Sequence, residues 1–174
     1  MIRSFRGKSP KIAESVFISE AAYIVGDVEI GENSSIWPGA VIRGDFGKIR
    51  IGKNNAIEDN SVIHAGTHNA PTGDLNIGNN VHIGHGAVIN GKSIGDNVLI
   101  GMNATILHEV VIGDFCIVGA GCLVSDGMQV PDRSFLVGVP ARIKGEVTQE
   151  QLWWVNQAPK LYQEMAKHYR EEGL

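Results

Sequence analysis

The stretch SIGDNVLIGMNATILHEVVIGDFCIVGAGC, residues 93–122, carries an aliphatic residue at every sixth position: Ile94, Ile100, Ile106, Ile112 and Val118. Outward from it the register continues to Val124, and upstream through Ile89, Ile83 and Ile77. After a break it resumes at Ile63, Ile57 and Ile51, and after a shorter one at Ile42, Ile36, Ile30, Ile24, Ile18 and Ile12. Sixteen of the chain's 20 isoleucines lie on this register, so the repeat governs the fold and has to be read before any single helix or strand.

Six is a multiple of the strand period of two and not of the helical 3.6, so each aliphatic returns to the same side of extended chain. Glycine follows the aliphatic in eight hexads, and the fifth position is small or β-branched, as in Val81, Ala87, Val98, Ala104, Val110, Cys116 and Cys122. The chain holds 22 glycines in 174 residues, about twice the usual share, which signals repeated positive φ or close backbone approach at corners. Three short strands per coil give 18 hexads in six coils, a stack roughly 29 Å tall at about 4.8 Å per coil. The expected fold is an all-β solenoid, a parallel β-helix over 1–146. The two cysteines fall at inward fifth positions and read as core filler.

After Val124 the register fails. Thr148 with Gln151 three residues on reads as a capping box before Leu152, Trp153 and Val155. Pro159 is expected to break that helix, with a second from about Pro159 to Glu172 carrying Tyr162, Met165, Ala166 and Tyr169 on one side. Residues 147–174 thus form a C-terminal helical arm that lies along the solenoid or reaches a neighbouring subunit.

A net charge of −4 with no basic run excludes a nucleic-acid partner, and no apolar stretch is long enough to span a membrane. The N-terminal MIRSFRGKSP lacks the apolar region of a signal peptide, so the cytoplasm is the expected location. Six histidines remain as candidates for chemistry. On the coil Arg43, His64 and Asn90 form one outer column about 4.8 Å apart, while His85 lies elsewhere with Glu58 one coil away. One chain cannot bring His64 and His85 to a single ion, but two chains side by side can. The insertion from His64 to Leu75 marks this coil as a site. His82 is set close to His85 by the spacing H-x-x-H, whereas His68, His108 and His168 read as surface residues.

The hexad register, I-R-G-D at Ile42 to Asp45, I-E-D-N-S-V-I-H at Ile57 to His64, I-G-H at Ile83 to His85, I-G-M-N-A at Ile100 to Ala104 and G-V-P-A at Gly138 to Ala141 resemble the gamma-class carbonic anhydrases. R-G-D-F-G with H-I-G-H and the tail Leu152 to Gln163 look most like the phenylacetate-degradation and carnitine-operon subgroup. The resemblance implies a left-handed helix assembled as a homotrimer, with zinc or another divalent metal such as iron or cobalt between subunits. It implies a lyase in which metal-bound water attacks carbon dioxide. The ligands it assigns are His64, His85 from the neighbouring chain, and a third at Asn90, where the family has histidine. Where the family has glutamine beside the metal-bound water stands Glu58, which could replace the lost donor or act as base. Arg43 and Asp45 pair across the junction, Asp59 orients a histidine, Tyr162 lies over the site, and Phe46 occupies the position of a proton-shuttling glutamate. Hydrolysis of an acyl-CoA thioester, acyl transfer with His82 or His108 as base, and a non-catalytic trimeric scaffold are the competing readings.

Overall fold

In the computed structural model, which describes residues 1–66 and 73–174, the chain winds into a left-handed parallel β-solenoid of about seven turns followed by one α-helix. The extra turn beyond the six expected comes largely from the N-terminus, where Ile2–Arg3 pairs in parallel with Ile24 and Val25.

The register residues end short strands and stack in columns. The first face carries the leading half of the long strand Val41–Ile51, then Val62–His64, Val88–Ile89, Thr105–Ile106 and Leu123–Val124. The second carries the trailing half of Val41–Ile51, then Leu75–Ile77, Ser93–Ile94, Val111–Ile112 and Gln129–Val130. The third runs from Phe17–Ile18 through Ser35–Ile36, Ala56–Ile57, His82–Ile83, Leu99–Ile100 and Ile117–Val118 to Ser134–Val137. The antiparallel strand Arg142–Glu146 closes its edge. Ile57, Ile83 and Ile100 lie directly over one another with no solvent exposure, as do Ile42, Ile63, Ile89 and Ile106. The small fifth residues fill the remaining space between them.

Corner geometry divides the two glycine roles that the composition left joined. The glycines after the register residue are there for close approach: a Cβ on Gly52 would lie 2.6 Å from the Gly78 carbonyl oxygen of the next coil. Left-handed backbone is instead supplied at the second-to-third corner by Asn33, Asn54, Asn80 and Asn97, with φ between 55° and 60°. Asparagine tolerates this conformation because its short amide bonds locally. Here the amides form a ladder, Asn54 Nδ2 donating to Asn80 Oδ1 and Asn80 Nδ2 to Asn97 Oδ1, each at 3.1 Å.

Cys116 and Cys122 are both free and buried in the solenoid core. Burial pushes the Cys116 thiol up from its ordinary value, and it shields both sulfurs from reagents in solvent. Incubation with a chromogenic disulfide reagent should therefore release no colour from native protein and two equivalents after unfolding.

The expected helix break at Pro159 does not occur. One helix runs Gln149–Glu171, capped by the Thr148–Gln151 box, with Pro159 inside it. Proline removes one helical hydrogen bond and costs about 3 kcal/mol, and tertiary packing offsets this. Val155, Ala158, Pro159 and Ala166 are buried, and the helix lies on the third face against Phe17–Ile18, Ser35–Ile36, Ala56–Ile57 and His82–Ile83 of its own chain. Phe17, Trp37, Tyr162 and Tyr169 pin it there, with ring centroids 5.0–5.8 Å apart. Among the described residues no helix is long and apolar enough to cross a membrane.

Candidate functional site

The sequence-predicted site residues fall into two clusters at opposite corners of the first face. At the first-to-second corner, Arg43 is in register with His64, and the pairing of Ile63 with Ile89 sets Asn90 on the same column. Asp45 links this group: its carboxylate accepts from Arg43 and meets His64 Nε2 at 3.0 Å. Burial foremost, and then the Arg43 charge, holds the His64 imidazole below its ordinary value against the pull of Asp45. It is therefore neutral near pH 7, the state in which imidazole binds a metal. Burial pushes the Asp45 carboxyl up, but hydrogen bonds from Arg43 and His64 outweigh it and keep the group ionised.

At the third-to-first corner, under the helix, Glu58 is 3% exposed. Its Oε1 lies 2.6 Å from His82 Nε2, and its Oε2 lies 3.0 Å from His85 Nε2 while accepting the His85 backbone N–H at 2.8 Å. The Tyr162 hydroxyl donates to the same carboxylate. Burial would raise Glu58, but these donors and the two nearby imidazoles prevail and hold it below the usual carboxylate range. Burial and the bond to Glu58 push the Tyr162 phenol far above its ordinary value, so it serves as a fixed donor and not as an acid. Asp59 Oδ2 sits 3.0 Å from His85 Nδ1. His82 packs edge-on to Tyr162 at 5.0 Å, and its Nδ1 is buried with no hydrogen-bond partner.

Glu58, Asp59, His82, His85 and Tyr162 are thus brought together, as are Arg43, Asp45, His64 and Asn90, but the two groups are not. His85 and Asn90 bound the same crossing of the first face, five residues or about 16 Å of extended chain. Among the described residues of one chain, no three His, Cys, Asp or Glu side chains converge as metal ligands.

Sequence reading passed over Trp37, whose ring meets Tyr162 at 5.3 Å. Its outward place after Ile36, beneath an aromatic helix face, was the available signal. His108, read as surface, lies close enough to His64 for its charge to be felt. Two coils of stacking, about 10 Å, still separate them. His68 lies outside the described residues, and His168 pairs with Glu171 on the exposed helix.

The bacterial transferase hexapeptide model (six repeats) matches residues 9–44 and 91–126. Gamma carbonic anhydrase 2, mitochondrial, of Arabidopsis thaliana is 37% identical over 95% of this chain, which spans 60% of that protein's length. A probable carbonic anhydrase of Methanocaldococcus jannaschii is 46% identical over 81% of this chain and 86% of its own. Among solved structures, a hexapeptide transferase family protein from Anaplasma phagocytophilum superposes with a TM-score of 0.90 at 32% identity, covering 97% of both chains. With its hexad columns and the two imidazole corners in place, the chain belongs to the gamma carbonic anhydrase-like family of hexapeptide-repeat proteins.

Proposed function

We propose that copies of this chain pack side by side as a homotrimer, that His64 of one copy and His85 of the next share a divalent ion such as zinc with Asn90, and that the seam hydrates carbon dioxide reversibly. The observation that carries this reading is the pair of imidazoles at opposite corners of one face, each seated on a carboxylate, His64 on Asp45 and His85 on Asp59. A carboxylate on the far nitrogen fixes an imidazole's tautomer and strengthens its donor nitrogen. The donor set suits a divalent ion, although the Asn90 carbonyl holds it less firmly than a third imidazole. When bound, such an ion lowers the pKa of water toward 7.

The chain's own groups orient the site. Asp45 directs His64 and is steadied by Arg43, whose guanidinium keeps positive charge where bicarbonate would leave. Glu58 is already engaged by His82, Tyr162 and the His85 backbone N–H, so it acts as the brace of this corner and not as the missing ligand; with Asp59 on His85 Nδ1, the Glu58 contact at Nε2 is the one that opens for the ion. Tyr162 anchors that brace to the helix.

Acyl transfer or thioester hydrolysis is the second reading, suggested by the hexapeptide transferase relative and by a groove of about 790 Å³ on the second face. The groove's cations Lys11 and Arg50 are paired with Glu29, and Arg50 with Asp27 as well. Little free positive charge is left for a phosphorylated carrier, which favours carbon dioxide.

Elemental analysis of wild type and Asn90→His after loading with zinc or cobalt, followed by stopped-flow hydration assays, tests the proposal. Asn90→His should bind metal at least tenfold more tightly and hydrate carbon dioxide faster. No gain in bound metal overturns the placement of Asn90 at the ion. Metal-loaded protein that cleaves acyl-CoA but leaves carbon dioxide untouched overturns the substrate.

A further inference from the structure

Trp37, Leu161, Tyr162, Met165 and Tyr169 line a pocket of about 320 Å³ along the flank of the helix where it meets the third face, with Asp59 at its rim. Leu161 is 53% exposed and Met165 47%, so the helix presents an apolar patch on this flank as well as the face it buries. Contiguous apolar surface of this kind marks a place where something docks. At the opposite corner, Phe46 is 51% exposed and lies edge-on to the His64 ring at 5.7 Å.

Each feature adjoins one half of the candidate site. Phe46 follows Asp45, the carboxylate that holds His64, and the pocket is rimmed by Asp59, the carboxylate that holds His85. We propose that Phe46 of one copy seats in this pocket of the next copy, as a knob that locks the seam and closes the metal centre from bulk water on that side. The inference rests on the shared-ion reading: an arrangement that brings the two imidazoles to one ion also brings Phe46 within about a side chain's length of the pocket mouth. Aromatic edges pack well against aromatic walls, and Trp37, Tyr162 and Tyr169 supply three. The position that would hold a proton-shuttling glutamate by resemblance is thereby used for packing.

A double-mutant cycle on the full chain, read by analytical ultracentrifugation, tests the knob. Phe46→Ala and Leu161→Ala should each weaken association at least tenfold, while the double variant should weaken it little beyond the stronger single change. Both side chains are half exposed, so circular dichroism should show the variants folded. Dissociation constants unchanged in Phe46→Ala, or strictly multiplicative effects in the double variant, overturn the proposal. If metal is still bound between copies in that case, the shared-ion reading survives it. A wild-type chain that remains monomeric with metal present removes both. Octanoate is the probe for the competing occupant, an apolar substrate tail. Saturable binding of octanoate to the assembled wild type, lost in Leu161→Glu, would mean that the pocket is open and not filled by Phe46.

Discussion

Ile83→Ala should lower stability by about 2–5 kcal/mol, the range for truncating a large aliphatic in a core that cannot collapse around the gap. Ile83 is fully buried, stacked between Ile57 and Ile100, and held in parallel register on both sides. A solenoid column cannot slide to fill the void, because each coil's height is fixed by its backbone ladder. For a chain of this size the loss corresponds to roughly 4–20 °C in melting temperature. Ile2→Ala is the control: Ile2 is 46% exposed on the terminal coil, and its truncation should fall within about 0.5 kcal/mol of wild type. Equal effects at the two positions, read by calorimetry, would contradict the stacked-core account. The change also reaches function, since Ile83 is the floor between His82 and His85.

Glu58→Ala should cost about 3–5 kcal/mol, as expected when one member of a buried ionic network is removed and its partners remain. The substitution takes the partner from His82 Nε2, one contact from His85 Nε2, the acceptor of the His85 backbone N–H and the acceptor of the Tyr162 hydroxyl. His82 would then be buried with neither ring nitrogen satisfied, since Nδ1 already lacks a partner. Glu58→Gln should recover part of the loss, because its carbonyl oxygen still accepts from Tyr162 and the backbone. Denaturant titration measures both, and an alanine variant within 1 kcal/mol of wild type would contradict the brace. Metal content separates the two roles open to Glu58: the glutamine variant should keep most of its metal if the carboxylate braces His85, whereas complete loss would make it a ligand.

The repeat was legible because every inward position answers to one requirement, an aliphatic or small side chain at a fixed height, and nothing distant has to be known to state it. The column Arg43, His64 and Asn90 was legible for the same reason: constant coil height turns sequence spacing into spatial register. Local chemistry likewise announced the Thr148–Gln151 cap. Pro159 was misread because its local penalty is visible in sequence, while the burial that offsets it depends on a face assembled from distant coils, Ala166 packing with Phe17 and Trp37 and Val155 with Ile117. The composition could not divide the corner labour between glycine and asparagine, since that depends on how near the neighbouring coil's carbonyl lies.

By itself the sequence determined the solenoid, its strand register and the columns on which the candidate residues stand, because a six-residue period converts position along the chain directly into position in space. Only the tertiary structure decided that Glu58 is spent on His82, His85 and Tyr162, and that an aromatic pocket opens beside Asp59. Both arise where the helix crosses the coils, and no local period records which face a helix more than 60 residues away will choose to cover.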